Sequence, residues 1–313
     1  MLIKVVRKVI TTCLGVKEGE TLLIVCDDGI FRLAKEVYDA GRRLGVNALL
    51  LCMRPTHVHG EEPPGPVAEA LKAADAALLM TTKSLSHTRA RKEACKKYGT
   101  RVASLPGVTK DMFTRAIDID YRKLSARIAK ELRLLFGKSR ITVSTKAGTH
   151  LEMSIKGRAW MRDDGIYTKP GSFGNLPAGE LCIAPVEGAT NGVIVIDGSA
   201  PLVGRIRRPV RITVKNGYIQ HMPIPAIRKV IDRIGKPARN IAEFGIGLNP
   251  KAIVTGRTLE DEKALNTVHI AIGNNVSFGG RVDCPCHLDF VLLNPSIYAD
   301  GARLFSSQNH LCI

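Results

Sequence analysis

Residues 21–107 alternate short apolar runs with amphipathic stretches, and this alternation constrains the fold more than any other feature of the chain. Four runs have the length and composition of buried strands: TLLIVCDD, VNALLLCM, DAALLMTT and RVASLPG. The stretches between them space their apolar residues as amphipathic helices do: IFRLAKEVYDAGRRLG, PVAEALKAA and SHTRARKEACKKYG. Strands that alternate with helices in this way form a parallel sheet covered by helices. The first part of the chain is therefore predicted to be an α/β domain.

The pattern changes after the long basic amphipathic stretch DYRKLSARIAKELRLLFGKS, which is predicted to be a helix. Beyond it, short alternating segments are separated by turn signals such as Ala-Gly and Asn-Gly, which is typical of antiparallel hairpins. One short helix is predicted, within PAIRKVIDRIGKPARNIAEFGIG. We place the boundary near residue 138. This predicts an α/β domain over residues 1–137, followed by a mostly β (α+β) domain over residues 138–313 that binds metal and carries catalysis.

Several functional classes are disfavoured by what the sequence lacks. No glycine-rich phosphate-binding motif follows the first strand, so a nucleotide site is not supported. No apolar run reaches the roughly 20 residues of a membrane-spanning helix. The first residues contain no convincing signal-peptide cleavage site, and we expect a cytoplasmic protein without a membrane partner. Aromatic residues make up only 5% of the chain, and nothing else accompanies the net charge of +17, so no nucleic-acid partner is expected.

The distribution of charge points to a cation site in the second half. The chain as a whole has 46 basic and 29 acidic residues. The segment from residue 240 to residue 300 reverses this balance, with four basic and seven acidic residues. A local excess of carboxylates in a basic chain is what a divalent cation requires.

Two histidines and three carboxylates in this half are the candidate ligands. His287 and Asp289 are two residues apart on a predicted strand, so their side chains point to the same face. His269 lies among aliphatic residues of another predicted strand, Glu180 begins an apolar run, and Glu243 precedes a glycine-rich loop. Each residue alone is also compatible with a structural role, as a core histidine or a surface carboxylate.

Together, these five residues predict a metal centre, because buried charges are costly unless they are paired or bound to metal. Histidine and carboxylate ligands suit Zn²⁺, Mn²⁺, Co²⁺ or Fe²⁺. Five protein ligands exceed the three that one catalytic metal usually has, which favours a two-metal site with a bridging carboxylate.

Four segments of the second half carry a resemblance to a known family: NLPAGELCIAP, AEFGIGLNP, EDEKALNTVHIAIGNN and HLDFVLLNPSIYADG. In this order they resemble the thermophilic metallo-aminopeptidase family of aminopeptidase T and aminopeptidase S, and most of all its shorter leucyl-aminopeptidase-like branch. The resemblance implies that Glu180, Glu243, His269, His287 and Asp289 are the ligands of a paired-metal site. It also implies a two-domain subunit that forms a homodimer.

The main functional hypothesis is therefore a metal-dependent hydrolase that resembles an aminopeptidase. Two ions of zinc, cobalt or manganese would activate a water molecule that attacks a peptide or related amide substrate. Glu180 and Glu243 are the predicted catalytic residues. One departure from the family concerns a tyrosine that its peptidases place after the histidine matched by His269. This chain has no tyrosine there and carries Phe278 instead.

Two alternatives remain open. The wider superfamily contains an iron-dependent dihydroxypyridine ring-cleaving dioxygenase, and His269, His287 and Asp289 would suit its single Fe(II) as a facial triad. A non-enzymatic basic protein with a structural metal is the other alternative.

The cysteines and one charged run are also interpreted from the sequence. Most of the eight cysteines are read as small buried hydrophobes. Cys284 and Cys286, beside His287, are read as structural cysteines, with a thiolate ligand or a redox role as the alternative. The charged run EDEK before the His269 strand is read as exposed surface or the start of a helix.

Overall fold

The computed structural model describes residues 1–306, which form two compact units. The first unit contains Met1–Ser125 together with Asp163–Ala178. The second contains Ala126–Arg162 and the chain from Gly179 onward. The boundary predicted near residue 138 thus lies within the opening segment of the second unit.

The helices and strands have the following bounds. The helices are α1 Leu2–Lys8, α2 Phe31–Arg43, α3 Gly65–Ala73, α4 Arg89–Tyr98, α5 Lys110–Arg115, α6 Tyr121–Leu135, α7 Pro225–Ile234 and α8 Thr258–Asp261. The first strands are β1 Thr21–Asp27, β2 Asn47–Met53, β3 Ala76–Met80, β4 Arg101–Ser104, β5 Arg140–Ser144, β6 His150–Ser154, β7 Met161–Asp163, β8 Phe173–Asn175, β9 Glu180–Ile183 and β10 Thr190–Ile196. The remaining strands are β11 Ser199–Ala200, β12 Gly204–Arg205, β13 Val210–Lys215, β14 Tyr218–Ile219, β15 Ile241–Gly247, β16 Thr267–Gly273, β17 His287–Leu293, β18 Ser296–Ala299 and β19 Ala302–Ser306.

The first unit is the predicted α/β domain, built on a five-stranded parallel sheet in the order β2-β1-β3-β4-β8. Every residue of β3 and β4 is buried, because helices cover a parallel sheet on both faces. The four predicted strands and three predicted helices are all present. The fifth strand, β8, was missed, because its three residues, Phe-Gly-Asn, have no strand pattern and are defined only by pairing with β4.

A buried ion pair joins two parts of this first unit. The Arg101 guanidinium is bound to the Glu20 carboxylate and donates to the Gly15 carbonyl oxygen at 3.0 Å. Arg101 is only 5% exposed, so these partners must offset the free-energy cost of burying its charge. Burial would raise the pKa of Glu20, but the hydrogen bonds and charge of Arg101, with the Lys17 backbone, lower it below its usual value of 4.5.

Glu20→Gln should therefore destabilise the first unit in a pH-dependent way. Near neutral pH we expect a loss of about 1.5–3 kcal/mol in free energy of unfolding, the range for hydrogen bonds to charged groups. The ionised Glu20 contributes this stability above pH 4.5, and the contribution is lost as the pH falls through the lower folded-state pKa. Denaturant titrations of both proteins across the acidic range would show the difference shrinking. A difference that stays constant down to acid pH would contradict this account.

The second unit is mostly β, as predicted, and contains two antiparallel seven-stranded sheets. One has the order β14-β13-β10-β6-β5-β18-β19 and includes the predicted β5–β6 hairpin. The other has the order β12-β11-β17-β16-β15-β9-β7. Every residue of β15 and β16 is buried, including Glu243 and His269. Ionisable groups in the middle of a buried sheet need a partner or a ligand.

Two sequence interpretations are corrected in this sheet. The glycines after Glu243 were read as a loop, but Gly245 and Gly247 lie inside strand β15. The run EDEK was read as exposed surface or a helix start. Part of it is in α8, yet Glu260, Asp261 and Lys263 are each at most 1% exposed. Within the described residues, no helix is long and apolar enough to cross a membrane.

Candidate metal centre

Four neighbouring strands bring the five predicted ligands to one face of the second sheet. Strand pairing places Glu243 opposite Ala271, and Ala271 in turn opposite Asp289. Residues directly opposite each other on paired strands point to the same side. The same register sets Gly245 opposite His269, Gly273 opposite His287 and Gly247 opposite Glu180. Glu180, Glu243, His269, His287 and Asp289 therefore share a face, although they come from sequence positions far apart.

The side chains of these five residues form one continuous polar cluster. His287 Nε2 lies 2.9 Å from Glu243 Oε2 and 3.2 Å from Asp289 Oδ1. His269 Nε2 lies 3.4 Å from Glu243 Oε1 and 3.7 Å from Glu180 Oε2. Both imidazoles thus direct Nε2 toward the carboxylate of Glu243. For Glu243, His287 and Asp289, one ligand atom of each lies within 4.8 Å of the others.

Hydrogen bonds around the cluster leave ligand atoms available. His287 Nδ1 lies 2.8 Å from the Asn274 carbonyl oxygen, which only accepts, so Nδ1 carries a proton and Nε2 is the nitrogen that a metal ion would bind in place of a proton. Metal-binding histidines are commonly oriented in this way. His269 Nδ1 and Glu180 Oε2 are buried with no hydrogen-bond partner among the described residues. Buried polar atoms without partners are rare, and Glu180 Oε2, which faces His269 Nε2, favours a missing cation.

Small residues on the same face make room for the imidazoles. A Cβ atom at Gly245 would lie 2.0 Å from both Cε1 and Nε2 of His269. The His269 ring therefore rests directly on the backbone of the neighbouring strand. A glycine inside a strand is a sequence signal for such a close approach.

The charges of the cluster perturb its ionisable groups strongly. Burial would lower the pKa of His287, but Asp289 and Glu243 reverse this and raise it well above its usual value. Burial also opposes protonation of His269, whose pKa Glu243 and Glu180 nevertheless raise to about 9. Burial would raise the pKa of Glu243, yet the two histidines lower it markedly. Without a cation, the carboxylates thus hold protons on both imidazoles, which is the charge a metal would replace.

Two residues that sequence analysis did not single out complete the cluster. The Lys263 ammonium contacts Glu180 Oε1 and lies 2.8 Å from Glu262 Oε1. Burial raises the pKa of Glu262 to about 8 against the opposing effect of Lys263, and Asp289 and Glu180 add to the rise. The sequence feature that could have pointed to Glu262 and Lys263 is the run of four charged residues, EDEK, shortly before the buried strand β16.

The segment of residues 274–286 connects the His269 strand to the His287 strand and is held by one carboxylate. Glu187 accepts from the Asn275 amide nitrogen at 2.9 Å and from the Arg281 backbone N–H at 2.8 Å, and it binds Arg158. This anchoring places the Phe278 ring on the His287 imidazole, with centroids 5.1 Å apart and planes inclined by 18°. The residue that replaces the expected tyrosine therefore stacks on a candidate ligand.

Phe278→Leu should loosen the His287 ring and weaken metal binding. An aromatic pair contributes about 0.5–1.5 kcal/mol beyond its buried area, which corresponds to a roughly 2- to 10-fold loss of affinity. Competition titrations with a chelating dye would measure this loss. Phe278→Tyr keeps the stacked ring and should bind metal as the wild type does. Equal affinities for the leucine variant and the wild type would show that the stacking does not orient His287.

The cysteines lie outside the group of mutually close ligand atoms found among the described residues. Cys13, Cys26, Cys95 and Cys182 are buried, as predicted, whereas Cys52 is exposed and Cys284 and Cys286 are half-buried. Cys312 lies outside the described residues. Burial, with the charges of Glu243 and Glu180, raises the pKa of Cys182 well above its usual value, so this thiol stays protonated beside the centre.

Comparison with known proteins shows what the chain is similar to. The family model described as NicX, 2,5-dihydroxypyridine 5,6-dioxygenase, matches residues 1–308. The chain belongs to this family. Among solved structures, the 2,5-dihydroxypyridine dioxygenase from Pseudomonas putida KT2440 is similar, with a TM-score of 0.79, 20% identity, and coverage of 98% of this chain and 96% of that one. No curated protein sequence matches the chain.

The fold also resembles that of the aminopeptidases. AmpT from Thermus thermophilus aligns with a TM-score of 0.69 and 16% identity, covering 98% of each chain. The resemblance read from the sequence is confirmed to the extent that the fold is related to that of a metallopeptidase. The main functional hypothesis, a hydrolase, is wrong, however, because the family match and the similar dioxygenase structure favour the alternative, a ring-cleaving dioxygenase. The expectation of a zinc aminopeptidase or other hydrolase is corrected accordingly.

Proposed function

We propose that this enzyme is an iron(II)-dependent dioxygenase that cleaves the ring of a dihydroxylated nitrogen heteroaromatic compound such as 2,5-dihydroxypyridine. The carrying observation is the convergence of two imidazoles and a carboxylate on one sheet face, in a chain matched by the dioxygenase family over residues 1–308. Two histidines with one carboxylate are the ligand set of non-haem iron(II) oxygenases.

The donor set of this chain fits a ferrous ion. His269, His287 and Asp289 would hold the metal through two nitrogens and one carboxylate oxygen, a facial triad that leaves other coordination positions open. Glu180 Oε2, which has no hydrogen-bond partner, lies 3.7 Å from His269 Nε2, and both imidazole Nε2 atoms face the Glu243 carboxylate. Bound iron(II) supplies the redox chemistry by which dioxygen becomes reactive toward an electron-rich ring.

The neighbouring residues of the chain have distinct proposed roles. Glu243 contacts both imidazoles and orients them, while its negative charge lowers the cost of placing a cation in a buried site. Phe278 covers one face of His287 with an apolar ring and limits the access of water there. Catalytic functions for Glu180 and Glu243 were predicted from the sequence, and they remain predictions. Assembly as a homodimer is likewise a prediction.

The direct test is anaerobic reconstitution with Fe(II), followed by addition of dioxygen and 2,5-dihydroxypyridine. We expect the ultraviolet absorbance of the ring to disappear with consumption of one dioxygen per substrate, and no turnover with Zn(II) in place of iron. His150→Ala is a matched control, because His150 is 67% exposed on β6 of the other sheet. Protein that binds iron but consumes no dioxygen with any dihydroxypyridine would refute the proposal.

A further inference from the structure

A buried lysine lies at the edge of the metal centre. Lys263 is 1% exposed, and its ammonium contacts the carboxylates of both Glu180 and Glu262. A fully buried ammonium is costly unless it is paired and hydrogen-bonded. The two carboxylates supply that pairing, and the lysine in turn neutralises part of a cluster that holds four acidic side chains: Glu180, Glu243, Glu262 and Asp289.

The backbone fixes the position of this lysine relative to Glu180. The Lys263 carbonyl oxygen accepts from the Asn249 N–H at 2.8 Å, and the Asn249 carbonyl oxygen accepts from the Leu265 N–H at 3.0 Å. The residue before Asn249, Leu248, donates its N–H to the Gly179 carbonyl oxygen at 2.8 Å. One buried turn thus holds both the lysine and the strand that begins with Glu180. The ammonium is a built-in element of the site rather than a mobile surface charge.

The two carboxylate oxygens of Glu180 have different surroundings. Oε1 contacts Lys263, whereas Oε2 faces His269 Nε2 at 3.7 Å and has no hydrogen-bond partner. A carboxylate that bridges two metal ions through its two oxygens needs both of them for metal. With Oε1 on an ammonium, Glu180 has one oxygen left on the side of the histidines.

We propose that Lys263 fills with its ammonium the cation position beside Glu180 and thereby keeps a second metal ion out of the one-metal centre of the proposed function. This inference rests on the proposed function and deepens it, because it assigns the residue that distinguishes a one-metal centre from a paired-metal centre on the same scaffold. Lys263 is a positioning residue: it holds Glu180 and supplies positive charge without offering an open coordination position.

The test counts metal ions bound per folded chain after reconstitution with Mn(II) or Co(II) and removal of loosely bound ions. We expect one ion in the wild type and a second ion in Lys263→Met, where Glu180 and Glu262 lose their cation. The melting temperature of Lys263→Met should also rise with added Mn(II) more than that of the wild type. Lys8→Met is the matched control, because Lys8 is 21% exposed and pairs with Asp118 at 2.6 Å, and it should bind one ion.

A second variant keeps the inference testable if Lys263→Met does not fold. Lys263→Gln also removes the charge but keeps a hydrogen-bond donor for Glu180 and Glu262, and it should bind a second ion. Two ions in the wild type, or one ion in either folded variant, would overturn the inference. One ion per chain without ring cleavage in the iron-loaded enzyme would refute the proposed function and leave the assignment of Lys263 standing.

Discussion

His287→Ala is expected to abolish metal binding and ring cleavage together. His287 Nε2 lies within 3.2 Å of both Glu243 and Asp289, and its Nδ1 is fixed by the Asn274 carbonyl oxygen. Mutation of outer-shell partners already costs about 10- to 100-fold in metal affinity or activity, so loss of a ligand should cost at least about 100-fold in each. Iron content by elemental analysis and dioxygen uptake with 2,5-dihydroxypyridine would measure both effects.

The specificity of this result depends on an appropriate histidine control. His150→Ala removes an exposed imidazole that lies beside a carboxylate, Glu152, at 3.9 Å. It should leave iron content and turnover at the wild-type level. If His287→Ala kept both its iron and its activity, the cluster described here would not be the metal centre.

Gly245→Ala should damage the centre without removing any polar group. The added Cβ atom would lie 2.0 Å from two atoms of the His269 ring, so either the imidazole or strand β15 must move. Overpacking of a buried site costs about 1–3 kcal/mol. Because His269 would be displaced from Glu243, we also expect iron affinity to fall at least about 10-fold, the lower bound for lost outer-shell support.

Denaturant unfolding and iron titration of Gly245→Ala would measure these two effects. Gly65→Ala, at the start of α3, is the matched control, because an added Cβ atom there meets nothing within 4 Å. It should leave stability and iron affinity nearly unchanged. Wild-type iron affinity in Gly245→Ala would show that the position of the His269 ring is not set by the glycine.

Much of the fold follows from local patterns in the sequence. The four strands and three helices between residues 21 and 107 each bury a continuous or periodic apolar surface, and such periodicity is visible without any knowledge of the partners. Strand β8 could not be recognised in the same way. Its residues Phe173–Asn175 are only partly buried, and they form a strand because β4 offers an unpaired edge.

In the candidate site, too, some features follow from local sequence patterns and others depend on the pairing of distant strands. That His287 and Asp289 share a face follows from their spacing on one strand, because side chains alternate along a strand with a period of two. That Glu180 lies beside Lys263 depends on the pairing of β9 with β15 and on the turn at Asn249. Such pairings are set by the packing of whole strands, so the sequence did not show that the charged residues of the EDEK run are buried.

The sequence by itself determined the fold class and the acidic character of the second half, because these are properties of spacing and composition. The set of five metal ligands remains a prediction. The sequence did not determine the chemistry, since the same fold occurs in AmpT from Thermus thermophilus and in a 2,5-dihydroxypyridine dioxygenase. Only the tertiary structure showed that the imidazoles of His269 and His287 both contact the Glu243 carboxylate. It also showed that the buried ammonium of Lys263 contacts Glu180. The physical reason is that the cost of burying each charge depends on partners that strand register brings together from distant parts of the chain.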